Sequence, residues 1–80
     1  MSQLVYVFAE NLVEANNWAA LNQLGPDEWR FVKGYKTLRA VYNAKYVILH
    51  GFHRHPDCQL LLATIRLRQF KQAGINEYKM

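Results

Sequence analysis

Two long apolar runs constrain this chain more than anything else in it. Leu4-Val5-Tyr6-Val7-Phe8-Ala9 and Lys45-Tyr46-Val47-Ile48-Leu49-His50 are rich in β-branched and aromatic residues and do not alternate with polar ones. A strand with one wet face alternates, whereas a strand covered on both faces does not, and strands of the second kind belong to parallel sheets flanked by helices. The runs therefore predict two strands covered on both faces in an α/β domain, the first of them central. Between them Glu28-Trp29-Arg30-Phe31-Val32 reads as a shorter strand, and its Arg30 suggests an edge.

The intervening segments carry helix signals. Asn11 and Glu14 have the spacing of a capping box, so a helix is expected directly after the first strand, with Leu12, Ala15 and Ala19 as its apolar stripe and Trp18 beside it. Gly25 is expected to stop that helix and Pro26 to prevent its resumption. From Lys36 to Tyr42 the residues Leu38, Val41 and Tyr42 lie at helical spacing, as in a short helix or an irregular connector. Pro56 suits the first turn of a long last helix, with Asp57 near its positive end, Lys71 in its last turn and Gly74 just past it. Parallel strands joined by helices need right-handed crossovers, which leaves few arrangements. The expected fold is a three-stranded parallel, Rossmann-like sheet of strand order 2-1-3, with two main helices and one short helix. A small α+β fold with an antiparallel hairpin is the rival. Residues 1–80 read as a single domain with a flexible tail at 75–80.

Composition narrows the class. At 80 residues and 51% hydrophobic content the chain should fold, but it buries only about 60–65% of its unfolded surface, so its core is thin. One cysteine, Cys58, excludes an internal disulfide or a cysteine-cluster zinc site, and sits as a structural thiol. No run approaches the ~20 residues of a membrane span, and Met1-Ser2-Gln3-Leu4 lacks a signal peptide's basic region. A cytoplasmic protein is expected. The net charge of +4 and a pI near 9.5 suit an anionic partner such as nucleic acid, and equally suit ordinary solubility.

The segments Val7-Phe8-Ala9-Glu10-Asn11, Glu14-Ala15, Trp18-Ala19, Glu28 to Val32, Leu38-Arg39 and Gly51-Phe52 to His55-Pro56 resemble those of small α/β proteins encoded by actinobacterial bacteriophages. The resemblance spans roughly residues 4 to 70. It implies a phage origin and a host-cytoplasm setting, and it transfers no catalytic residue.

Enzyme signatures are missing. The turn after the first strand is Ala9-Glu10-Asn11-Leu12, with neither a phosphate-cradling glycine loop nor a dinucleotide fingerprint, and Glu10 would repel a phosphate there. Ser2 is the sole serine. No cofactor is expected. A ligand site, if present, would gather Glu10, Asn11, His50, His53 and His55 at the strand ends, where open α/β sheets bind ligands. His50 is expected to be partly buried, with His53, Arg54 and His55 exposed near a helix N-terminus. The spacing His-x-x-His-x-His is weak evidence for metal, and no metal site is assigned.

The last helix shows two apolar faces. Cys58, Leu61, Leu62 and Ile65 suit docking against a sheet, while Leu60, Ala63, Leu67 and Phe70 lie roughly opposite, on a surface that needs another cover. Arg30, Lys33, Lys36, Arg39, Arg54, Arg66, Arg68 and Lys71, interleaved with Trp29, Tyr35 and Tyr42, are candidate anion or nucleic-acid contacts. The leading expectation is a non-enzymatic phage accessory protein that binds a protein partner, a host factor or a second copy of itself as a dimer, through the outer stripe. A nucleic-acid binder and a minimal enzyme or ligand binder at the strand ends are the alternatives.

Overall fold

The computed structural model describes residues 4–42 and 44–72. Its elements are β1 (Val5–Phe8), α1 (Leu12–Leu21), β2 (Trp29–Phe31), a 3-10 turn at Tyr35–Leu38, β3 (Lys45–Ile48), a second 3-10 turn at His50–Arg54, α2 (Cys58–Leu67) and β4 (Lys71–Gln72). All strand pairings are parallel: Val5 sits opposite Trp29 on one side and Lys45 on the other, and Lys45 sits opposite Lys71. The sheet contains the expected order 2-1-3 and extends it with a short fourth strand, giving β2-β1-β3-β4.

The unalternating runs are explained by two cores, one on each side of the sheet. Val5 and Val7 of β1 with Ala9 just after it, and Val47 of β3 with Leu49 just after it, point towards α1, where Ala15, Trp18 and Ala19 close the layer. Phe8 and Ile48, with Tyr6 and Tyr46 half-buried beside them, point the other way towards Phe52, Leu61, Ile65 and Phe70. The step from β1 to β2 runs through α1 on one face. The step from β3 to β4 moves the opposite way across the sheet and runs through α2 on the other face, as crossovers of one hand require. In the second core Phe8 is fully buried, edge-on to Phe52 at 5.4 Å and to Tyr46 at 6.1 Å between ring centroids.

Several local expectations are corrected. Leu12 lies half exposed, so the buried stripe of α1 is Ala15, Trp18 and Ala19 alone. That helix stops at Leu21, four residues before Gly25, because Gln23 takes the left-handed backbone (φ 57°) and its N–H donates to the Ala20 carbonyl. Gly25 and Pro26 instead open a tight turn, in which the Glu28 N–H donates to the Gly25 carbonyl at 3.0 Å. α2 likewise ends early, at Leu67, where Gln69 turns left-handed (φ 56°), and Lys71 falls in β4 rather than in a last helical turn. Pro56 lies in the turn before α2 and not within its first turn. Gly74 and the tail at 75–80 lie outside the described residues.

Candidate functional site

Two places on this scaffold gather the residues that carry chemistry. The first is the carboxyl end of the sheet. The chain moves from β1 to β2 on one side and to β3 on the other, and the crevice at this reversal is the usual ligand position of an open α/β sheet. Here the crevice is filled from within. Glu14, in the first turn of α1, accepts the Glu10 N–H on Oε1 and the Gly51 N–H on Oε2, both at 2.8 Å. Asn11 caps the helix by accepting the Glu14 N–H at 3.0 Å. The expected capping box is therefore half realised: the glutamate reaches back one residue further than the cap and, in addition, across to the β3 side.

The remaining residues of this cluster are also tied to one another. Glu10 pairs with Arg54 at 3.2 Å. His53 Nδ1 lies 2.9 Å from the His50 carbonyl, and the two rings meet edge to face at 6.0 Å. His50 is exposed rather than partly buried. His55, expected at the surface, is buried instead. Its Nδ1 accepts the Asp57 N–H at 2.9 Å, which leaves Nε2 to donate to the Lys33 carbonyl at 3.0 Å. That histidine staples the loop after β2 to the start of α2. Among the described residues no three His, Cys, Asp or Glu side chains are placed to hold a metal ion.

The second place is the outer side of α2. Leu61 and Ile65 are buried on the sheet, with Cys58 and Leu62 half-buried beside them, so the expected docking face is the observed one. On the other side Leu60 is 51% exposed, Leu67 83% exposed, and Ala63 between them is also exposed. Phe70 departs from that stripe. It follows the left-handed turn at Gln69, folds under the sheet beside Tyr6 and belongs to the core. A groove of about 390 Å³ runs between α2 and the first 3-10 turn, lined by Tyr35, Leu60, Ala63, Thr64, Leu67 and Arg68. Its walls are mostly carbon. Thr64 adds little polarity, because its hydroxyl donates to the Leu60 carbonyl at 2.9 Å.

One end of the groove is built by Arg68. Its guanidinium donates to the Leu38 and Val41 carbonyls and to the Tyr35 hydroxyl, and lies over the rings of Tyr42 at 4.7 Å and Tyr35 at 5.5 Å. Arg68 is therefore not the surface cation that the sequence suggested, but the clamp that holds the connector against α2. Replacing it with alanine leaves two carbonyls without their charged donor and is expected to cost about 2–3 kcal/mol in chemical denaturation. Lysine should rescue only part of the loss, since an ammonium can stand in for the one nitrogen that serves both carbonyls but not also for the second, which serves the Tyr35 hydroxyl. Equal stability of the alanine variant would show that the clamp is ornamental.

The other candidate cations do not form one surface. Arg30 lies on edge strand β2 and Lys71 on edge strand β4, at opposite borders of the sheet. Arg54 faces Glu10. Lys33, Lys36 and Arg39 follow one another along the connector, and Arg66 lies on the exposed flank of α2. Of the groove, sequence reasoning found the helix side and missed the Tyr35 wall. Tyr35 and Arg68 stand 33 residues apart, and no local pattern links them.

Fold and groove together define a doubly wound α/β domain whose strand-end crevice is internally filled and whose last helix offers a bare apolar side. In comparisons with protein families, curated proteins and solved structures, nothing matches the chain. No helix among the described residues is long and apolar enough to cross a membrane.

Proposed function

We propose that this domain is a non-enzymatic protein-binding module, an accessory protein of a phage acting in its host's cytoplasm, and that it holds its partner on the outer side of α2. The observation that carries this is the pair Leu60 and Leu67, 51% and 83% exposed on either side of Ala63 at the lip of an apolar groove. Scattered surface leucines need no explanation, but leucines aligned along one helix beside a groove form the kind of patch that contacts use. The filled crevice at the strand ends favours binding over catalysis, because the amides that would meet a substrate's anionic group already hold Glu14.

Leu67→Glu separates contact from core. At 83% exposure its loss should change unfolding free energy by no more than about 0.5 kcal/mol. The same variant should fail to retain the proteins that the unmodified chain retains from host lysate. A variant that is strongly destabilised, or one that retains the same partners, would count against the proposal.

A further inference from the structure

We infer that two copies of this chain pair through the outer face of α1, in an antiparallel helix contact separate from the groove on α2. Ala15, Trp18 and Ala19 take the buried side of that helix, and its exposed positions are Leu12, Val13, Asn16, Asn17, Ala20 and Leu21. Three of these are large and apolar, Leu12 and Leu21 being 51% exposed and Val13 67%. Their order names the occupant. Counted outward from the midpoint between Asn16 and Asn17, asparagine answers asparagine, Ala20 answers Val13 and leucine answers leucine. A closed two-fold contact needs a patch that fits itself, and a helix meets that condition in antiparallel pairing when its outer positions read alike from both ends.

With the two-fold at that midpoint, Val13 of one copy stands level with Ala20 of the other, a branched side chain over a low point, and the leucines at the same height close the flanks of that layer. The layer occurs at both ends of the contact. Between the two layers the four asparagines meet, and an amide can pair with its own kind because it carries both donors and an acceptor. Polar groups at the centre of an apolar seam also fix the register, since a shift would strand them against leucine. Charge favours the same face. The exposed positions of α1 carry none, its one acid, Glu14, is engaged by the amides of Glu10 and Gly51, and none of the chain's ten lysines and arginines precedes Arg30. Copies of a chain with net charge +4 repel one another, so a neutral helix face is where they approach at least electrostatic cost. A helix of 10 residues is about 15 Å long and supplies less than the ~800 Å² per partner of a standard interface, so the pair should be reversible, with a dissociation constant on the order of 100 µM.

The test is sedimentation velocity on the full chain from about 5 to about 500 µM, on Val13→Glu, on Ala20→Lys and on an equimolar mixture of those two variants. Glutamate in the first turn and lysine in the last suit the helix dipole, so both variants should keep their fold, which unfolding curves check. The unmodified chain should shift towards twice its mass as concentration rises, and each variant alone should associate at least about tenfold more weakly. The mixture should recover, because the new glutamate of one copy then meets the new lysine of the other. Leu67→Glu should associate as the unmodified chain does. A chain that stays monomeric throughout, or one whose association is lost in Leu67→Glu and kept in Val13→Glu, would overturn the proposal. Loss in both single variants without recovery in the mixture would overturn the antiparallel pairing. Partners held from lysate through Leu67 should still be retained by Val13→Glu, and their loss together with self-association would show that the two surfaces are not separate.

Discussion

Phe8→Ala is expected to remove about 3–5 kcal/mol of stability. Phe8 is fully buried at the centre of the second core, on the strand that pairs with both neighbours, and two aromatic rings pack edge-on against it. A domain of this size starts near the lower end of the usual 5–15 kcal/mol, so the alanine chain should be largely unfolded at 37 °C by far-ultraviolet circular dichroism. Phe8→Leu keeps most of the volume and should lose well under half as much. A drop of less than about 1 kcal/mol for the alanine variant would mean that the second core is not packed as described.

The second large effect concerns Glu14 and Gly51. Glu14→Ala deprives two backbone amides of a charged acceptor and should cost about 2–3 kcal/mol. Gly51 is needed for the same contact. A β-carbon there would stand 2.6 Å from Glu14 Oε1 and 2.8 Å from Oε2, with no other neighbour so near. The carboxylate is the mobile end of a side chain and can swing away at little steric cost, but it then leaves both amides. Gly51→Ala should therefore destabilise by about the same amount as Glu14→Ala, and the double variant by scarcely more than either, so the cycle is strongly non-additive. Additive losses would show that Gly51 is constrained by something other than this carboxylate.

What the residues revealed in advance follows their range in sequence. The strands and their order were legible because two-sided burial writes itself into consecutive positions, and because crossover handedness leaves few topologies. Helix ends were not. Gly25 and Gly74 are the obvious stop signals, yet Gln23 and Gln69 take the left-handed positions, at a backbone cost that the packing of the following segments overrides. β4 was invisible because two residues carry no periodicity. At the site, the apolar outer side of α2 was legible from helical spacing for Leu60, Ala63 and Leu67. Phe70 was misplaced by extending the same spacing beyond the true end of the helix. His55 was misjudged because its two bonds reach the carbonyl of Lys33 and the amide of Asp57, and the former lies 22 residues away. The clamp formed by Arg68 has the same origin in long-range contact.

Of the described strands, the earliest to be made is an inner one. On a growing chain Val5–Phe8 must wait for Lys45–Ile48, about 40 residues later, before its second border is paired, and at 5–20 residues per second the delay is a few seconds. Throughout that interval a sticky, β-prone stretch stands open on one side to any similar stretch nearby. Crowded synthesis is thus the condition under which this small protein is most exposed to aggregation, and sparse synthesis the one that protects it.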